Sequence, residues 1–204
     1  MAKSGTSIII GNVLRSDIRS FVIAARLKEP EVPTFGAFVR APIQQGQATL
    51  IGLIYDIRLR DDPFLRNLAA TVTPDNPNYA EIIKDQQENR AIPVEISVAA
   101  IGYGDNEGHY RHGLPPQPPL ILHSITSCDT DEIRAITGAP EFMRPLLDNR
   151  DIPLVELLPP VLRTAARLQP EADQEHYLVA AGRYLARQMG HDLIRLESIL
   201  QRLS

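Results

Sequence analysis

The sequence predicts a β + α protein, strand-rich in its first part and helical in its last part. Before residue 126, apolar residues fall in short β-branched runs, which is the pattern of strands. Four prolines at residues 114–119 then interrupt this pattern. Beyond Ser127, helix caps follow one another and no alternating run appears. The 204 residues, 44% of them hydrophobic and 23% charged, are typical of a folded globular protein of one or two domains.

Five apolar runs are predicted as strands, at residues 7–14, 19–27, 37–41, 48–59 and 92–103. Each is bounded by glycine, proline or polar residues. The fourth run holds Gly52 between apolar neighbours and alternates only towards its end. We therefore expect a central strand that bends at this glycine.

A helical insertion is predicted at about residues 62–90, between the fourth and fifth strands. Asp62 is a good N-cap and Pro63 suits the first helical position, with apolar residues following at helical spacing. Asn76 and Pro77 repeat this pattern. A polar run then leads the chain into the fifth strand.

Short helices are predicted after the proline-rich segment. Asp129 or Thr130 is the expected cap of the first, and Gly138 closes it. Another helix is expected to open near Asp151. The two prolines at residues 159–160 are expected to kink or restart that helix, because an internal proline removes a backbone hydrogen bond.

The strongest helical prediction is one segment over residues 171–203, bent at Gly190. Its apolar residues step by three or four and form a single stripe. Such a stripe is most often internal core, yet a helix of this length exceeds what one small domain covers. The candidate interface with another chain is therefore its last part, Leu193, Leu196, Leu200 and Leu203.

Charge and composition exclude several classes of function. The net charge of -4 and a pI near 5.7 provide no overall basic field for a phosphate backbone. The single cysteine, Cys128, cannot form an internal disulfide and fits a reducing compartment. The apolar run after Lys3 is too short for a signal segment or a membrane span. We expect a cytoplasmic protein with no membrane partner.

The N-terminal part carries a resemblance in its glycine motifs. These are Ile10-Gly11-Asn12-Val13, Phe35-Gly36-Ala37-Phe38-Val39 and Ile51-Gly52-Leu53-Ile54-Tyr55-Asp56-Ile57, followed by residues 94–101 and the prolines of 114–119. In order and spacing, residues 7–125 resemble the HAS-barrel family. This is the small β-barrel shared by HerA-type DNA-translocating ATPases and by the N-terminal barrels of rotary ATP synthase subunits. The resemblance implies a barrel whose strands bend at glycine and which the chain leaves through the proline-rich segment.

The chain departs from that family where the motor would begin. It contains no Gly-x-x-x-x-Gly-Lys-Ser/Thr motif and no Gly-Lys pair, which excludes a P-loop ATPase. The helical residues after the barrel are too few for a doubly wound ATPase sheet. In the family, the barrel forms a collar on a ring and helps to dock partners such as a nuclease. The resemblance therefore implies a barrel used for assembly, without the motor.

His109 and His112 come closest to a metal motif, and Asp105 and Glu107 are candidate further ligands. They follow a glycine-rich stretch, which indicates a loop or hairpin. Two histidines without two more well-spaced ligands rarely hold zinc. We therefore favour a solvated hairpin tip, and predict no metal and no cofactor.

Other candidate catalytic groups are better explained as structural. A thiol near a helix start, such as Cys128, can be activated, but no Cys-His pairing is readable. A hydrolase triad lacks the Gly-x-Ser-x-Gly elbow, and one of the clustered aspartates is explained as a helix cap. The residues concerned are His123, Ser124, Ser127 and Asp129 for a triad, and Asp56, Asp61 and Asp62 for paired carboxylates. No catalytic residue is predicted.

Direct nucleic-acid binding is the weaker alternative for the barrel. A small barrel can present a basic stripe to a phosphate backbone. However, eleven aromatic residues and no tryptophan do not provide an evident stacking platform. The arginines that would form such a stripe are Arg15, Arg19, Arg26, Arg40, Arg58 and Arg60.

The sequence thus predicts an N-terminal HAS-like β-barrel at residues 1–126 and a helical subdomain at residues 127–204. The predicted function is that of a non-enzymatic assembly or adaptor protein, an accessory or collar subunit of a ring ATPase. Its partner would be a HerA-type ATPase or copies of itself, and open barrel edges would favour association. The alternative is a nucleic-acid-binding barrel beside a DNA translocase. A third, weaker hypothesis is an enzyme whose site is built by association.

Overall fold

The computed structural model describes residues 8–27, 33–59, 92–105 and 107–203, together with 73, 75–81 and 84. These residues form seven strands. They are β1 (Ile9–Ser16), β2 (Ser20–Leu27), β3 (Phe38–Ile43), β4 (Ala48–Leu59), β5 (Ile92–Asp105), β6 (Tyr110–His112) and β7 (Ser124–Ser127). The five predicted strands are confirmed as β1 to β5, whereas β6 and β7 are additions.

Six of the strands close into an antiparallel barrel. The sheet runs β2-β1-β7-β3-β4-β5, and β2 pairs again with β5 to complete the ring. Strand β6 lies outside this ring and pairs with the end of β5. The predicted β-barrel is confirmed. The expectation of open barrel edges is wrong for these six strands, because the end strands β2 and β5 pair along their length.

Two glycines allow the strands to bend where the barrel closes. The register shifts between Ile9 and Gly11 on β1 and between Ile51 and Gly52 on β4, which marks β-bulges. A Cβ on Gly11 would lie 2.5 Å from the carbonyl oxygen of Ala24, and one on Gly52 would overlap the Val98 side chain. Only glycine lets neighbouring strands approach this closely.

The barrel interior is filled by apolar side chains from all six strands. They are Ile10, Val13, Phe21, Ile23, Ala25, Val39, Ala41, Ile43, Ala48, Leu50, Ile54, Val94, Ile96, Val98, Ala100 and Ile125. Successive side chains of a strand point to opposite faces, so β4 also presents Ile51 and Leu53 outward. These two belong to a second core, beneath the helices.

The proline-rich segment at residues 114–119 connects β6 to β7, and the chain returns to the barrel after it. Strand β7 pairs with β1 through Ser124, Ile125 and Thr126, and with β3 through Thr126 and Ser127. The segment therefore does not carry the chain out of the barrel. The barrel becomes complete only at β7.

Five α-helices follow. They are α1 (Thr130–Thr137), α2 (Arg144–Leu147), α3 (Leu154–Arg167), α4 (Gln174–Gln188) and α5 (Leu193–Gln201). Asp129 caps α1 by accepting hydrogen bonds from the backbone amides of Asp131 and Glu132, and Gly138 ends the helix, as predicted. The β + α fold class is thus confirmed, with a β-barrel followed by helices.

Helix α3 continues through Pro159 and Pro160 without interruption. The helix has no break at these prolines, so the expected restart does not occur. Each proline removes one backbone hydrogen bond. Burial of neighbouring residues such as Leu158 and Val161 compensates, since α3 lies at the centre of the helical core.

The predicted single helix over residues 171–203 is two helices. Helix α4 ends at Gln188, and α5 begins after Asp192, whose side chain accepts a hydrogen bond from the Arg195 amide. Both α4 and α5 pack on α3. The stripe therefore folds back over its own chain, so the argument from excessive helix length is wrong.

The helices cover one side of the barrel exterior. Their shared core joins the outward residues Phe38, Ile51, Leu53, Ala99 and Ile101 to the inner faces of α1 to α5. The other apolar residues of this core include Phe142, Leu157, Leu162, Leu185 and Ile199. The strands β1 and β7 contribute nothing to it.

Within the predicted insertion, the described residues 79–81 and 84 are helical. Asn76 starts this turn by accepting a hydrogen bond from the Asn78 amide. The predicted helix capped by Asp62 lies outside the described residues. Across the part of the chain that is described, no helix combines the length and the apolar character needed to cross a bilayer.

Candidate functional site

Three consecutive apolar side chains project into solvent just before β7. Leu120, Ile121 and Leu122 are 60%, 63% and 77% exposed, and we call them the apolar ridge. The nearby Leu14 on β1 is also exposed. Scattered exposed leucines are ordinary, but a contiguous apolar group on a turn is typical of a contact surface.

The backbone of the ridge is held in place. The amide of Leu122 donates to the Val13 carbonyl at 2.8 Å, and the Val13 amide donates to the His123 carbonyl at 2.9 Å. The Ser16 hydroxyl donates to the Pro119 carbonyl at 2.6 Å. The ridge is therefore a fixed feature of the β1–β7 side of the barrel.

Leu122 adopts a left-handed backbone conformation, with φ of 68°. This conformation is costly for a branched residue, because its Cβ approaches the backbone. Residues held in such strained conformations cluster at active sites, ligand clamps and switch regions. At Leu122 this conformation turns an apolar side chain outward.

The predicted interface leucines have separate environments. Leu196 is 8% exposed and belongs to the helical core, and Leu203 packs partly against that core. Leu193 is 66% exposed, and Leu200 is 37% exposed. Only Leu193 and Leu200 are available for a contact with another chain.

The residues of the considered metal site do not all come together. Single ligand atoms of Asp105, Glu107 and His109 lie within 4.8 Å of one another at the exposed β5–β6 turn. His112 is separate, since its Nε2 contacts the carbonyl oxygen of Ile136 at 2.8 Å. One Asp105 oxygen also accepts from the amides of Glu107 and His109, which is a turn arrangement. Those bonds, and the His109 side chain, hold the pKa of Asp105 below its usual value.

The surroundings of Cys128 do not favour its activation as a nucleophile. The residue as a whole is partly exposed, but burial of its thiol, together with Glu132, raises the thiol pKa well above the ordinary value, with Arg40 opposing the rise. The thiolate is the reactive form of cysteine. The position beside a helix start therefore does not lower the thiol pKa.

The residues considered for a hydrolase triad are engaged separately. His123 Nδ1 contacts the Pro42 carbonyl, the Ser127 hydroxyl accepts from the Ile8 amide, and Asp129 caps α1. Ser124 begins β7. Asp56 accepts from Arg58, while Asp61 and Asp62 lie outside the described residues.

Three arginines of the proposed basic stripe form ion pairs with acids. Arg15 pairs with Glu95, Arg40 with Glu132, and Arg58 with Asp56. These pairs reduce the positive field that a nucleic-acid backbone would meet. Arg19 is exposed beside the β1–β2 turn, while the Arg26 side chain and Arg60 lie outside the description.

The sequence analysis missed the apolar ridge. Its sequence signal was the apolar triplet directly after the prolines, which fits neither a helical nor an alternating period. Neither a comparison with protein-family models nor one with curated proteins finds a match to this chain.

Proposed function

We propose that this chain is a non-enzymatic assembly protein, an accessory or collar subunit that docks through its barrel onto a ring ATPase. The barrel would be of the HAS type and the partner a HerA-type ATPase. The observation that carries the proposal is the apolar ridge. Among the described helices, α1 to α5 leave this side of the barrel uncovered, and a partner would remove the ridge from water.

The construction of the barrel favours docking over catalysis. Its interior is packed with apolar side chains, as in a structural barrel. The glycines of the resemblance, Gly11 and Gly52, lie at bulges that such a small barrel requires. The sequence contains no P-loop, so in this proposal nucleotide hydrolysis belongs to the partner ATPase.

A cytoplasmic location follows from the same proposal, because the ATPases in question act on DNA. The nucleic-acid alternative has less support, since Arg15, Arg40 and Arg58 are each paired with a carboxylate. Binding through the ridge would depend on apolar area and respond weakly to salt, whereas phosphate binding falls steeply with salt.

The test is co-purification of the full chain with a HerA-type ATPase from the same genome, together with light scattering of each protein alone and of the mixture. Ile121→Asp should abolish a complex or self-association, because it puts a charge in the ridge. Ile18→Asp, on the exposed β1–β2 turn, is the matched control and should leave binding intact.

The proposal fails if neither a complex nor an oligomer forms at high protein concentration. It also fails if Ile121→Asp and Ile18→Asp assemble as well as the parent protein. Saturable binding of DNA by the isolated chain, lost as salt increases, would instead favour the nucleic-acid alternative.

A further inference from the structure

A cleft of about 890 Å³ lies between one end of the barrel and the helices. One wall holds Arg19 from the β1–β2 turn and His112 from β6. The other holds Glu141, Arg144 and Asp148 from around α2, with Tyr184 from α4. Clefts of this size at the junction of two structural layers are common sites for small ligands.

Tyr184 is buried but its hydroxyl lacks a partner. The residue is only 5% exposed, and among the described residues no hydrogen bond to its hydroxyl is found. No fully buried side-chain oxygen in the described part of the chain is unsatisfied. The hydroxyl of this cleft-lining residue therefore meets solvent, and it does so through the cleft.

Four charged side chains line the same cleft without partners of their own. Arg19, Arg144, Glu141 and Asp148 make no side-chain hydrogen bond or ion pair within the described residues. The cleft thus offers two free cations and two free anions around one phenol.

The balance of charge selects the ligand class. Two carboxylates in the wall repel a doubly charged phosphate, whereas a guanidinium and a phenol suit the planar geometry of a single carboxylate. The wall carboxylates suit an ammonium group. Burial raises the pKa of Tyr184, and Glu141 and Asp148 add to the rise while Arg144 and Arg187 oppose it, so its hydroxyl stays protonated and can donate.

We propose that this cleft binds a zwitterion of the amino-acid class. Arg19, Arg144 and the Tyr184 hydroxyl hold its carboxylate, and Glu141 and Asp148 hold its ammonium group. The ligand is a free amino acid or the two ends of a short peptide. This site is independent of the apolar ridge, and assembly through the ridge does not require it.

The test is an NMR titration of the full chain with triglycine, L-alanine and inorganic phosphate. Triglycine with either its amino or its carboxyl end blocked should lose most of the affinity of the free peptide. Arg144→Gln and Tyr184→Phe should each weaken binding about tenfold or more, because each removes a charge-assisted hydrogen bond. Arg183→Gln, an exposed neighbour on α4 outside the cleft lining, should bind like the parent protein.

Saturable binding of triglycine without alanine assigns the site to peptides, the reverse assigns it to free amino acids, and either supports the proposal. Three results overturn it: no saturable shift with either zwitterion, equal binding by the blocked peptides, or phosphate binding as tightly. Unchanged affinity in both folded variants, Arg144→Gln and Tyr184→Phe, overturns it too. Tyr184→Phe keeps the buried ring and should stay folded, and the same NMR spectra verify that it does.

Discussion

Arg40 on β3 donates from Nη1 to Oε1 of Glu132 on α1 at 2.7 Å, and this pair joins the barrel to the first helix. Arg40 Nε also donates to the Thr126 hydroxyl on β7. The second Glu132 oxygen accepts from the Asp129 amide at 2.9 Å, completing a capping box. The Glu132 carboxylate therefore both starts α1 and fixes it to Arg40 on β3, and Arg40 in turn bonds to β7. The hydrogen bond to Glu132 raises the pKa of Arg40, as expected for a guanidinium beside a carboxylate.

Breaking this pair should destabilise the protein. Glu132→Gln keeps an oxygen for the cap but removes the charge, and we expect the free energy of unfolding to fall by about 1 to 2 kcal/mol. Urea unfolding measures it. Arg58→Met is the control, since its pair with Asp56 is more exposed and should contribute less than about 0.5 kcal/mol. Equal losses of unfolding free energy in the two variants would show that the Arg40–Glu132 pair stabilises the fold no more than an exposed ion pair does.

Two neighbouring leucines of the predicted interface, Leu193 and Leu196, should respond differently to truncation. Leu196→Ala should lower the free energy of unfolding by about 2 to 4 kcal/mol, because it leaves a cavity in the helical core. Leu193→Ala should change it by less than about 0.5 kcal/mol, because its side chain is exposed. Denaturant unfolding of both variants tests this. A neutral Leu196→Ala would mean that α5 does not pack on α3 as described.

Leu122 should be replaceable without loss of stability. Asparagine tolerates the left-handed conformation better than leucine, so Leu122→Asn should leave the free energy of unfolding unchanged or raise it by up to about 1 kcal/mol. The same variant should weaken assembly. Ile121→Asn lacks a positive φ to relieve and should give no gain in thermal or urea unfolding. If Leu122→Asn were less stable than the parent protein, the backbone at Leu122 would not be strained by its leucine side chain, and the strain could not be linked to a contact.

Gly52 should not tolerate a side chain. Gly52→Ala places a methyl group against Val98 and 3.0 Å from the Ala99 carbonyl oxygen, which should destabilise the barrel by about 2 to 4 kcal/mol. Gly182 on α4 is the matched control, because its added Cβ would make only an ordinary contact with Leu200. Gly182→Ala should stabilise α4 by about 0.5 to 1 kcal/mol. We expect Gly52→Ala to melt at a lower temperature than Gly182→Ala. The reverse order would contradict the close approach of the strands at Gly52.

The Cys128 thiol should resist modification and link stability to pH. Since its pKa is raised in the folded state, the folded protein holds the thiol proton more tightly than the unfolded chain. This contribution is complete below the ordinary thiol pKa of about 8.5 and is lost as pH rises above it. Urea unfolding at neutral and alkaline pH should show a decline that is smaller in Cys128→Ala. A disulfide reagent that reacts with the native thiol as fast as in urea would contradict the raised pKa.

Local patterns were sufficient for much of the fold. The five long strands follow from alternating or continuous apolar runs, because one face of each must be buried. Asp129 was readable as a helix cap because an aspartate before a helical run can accept from the first free amides, and the structure shows those bonds. Gly52 was readable as a bend for a similarly local reason.

The long-range arrangement was beyond the sequence. Strand β7 has four residues, too few for a pattern, and it exists because β1 and β3 offer it partners on both sides. The leucine stripe kept its period across Met189–Asp192, so periodicity alone could not show that the chain turns back onto α3. Burial likewise divided the predicted interface, placing Leu196 inside and Leu193 outside.

The sequence by itself determined the five longer strands, the capped start of α1 and the absence of a P-loop. Only the tertiary structure decided that the barrel closes, that β4 serves two cores, and that Leu120 to Leu122 are left in solvent while the Tyr184 hydroxyl opens into a cleft. The physical reason is range: caps and periodicity act over a few residues, whereas closure, burial and unpaired charge depend on residues brought together from distant parts of the chain.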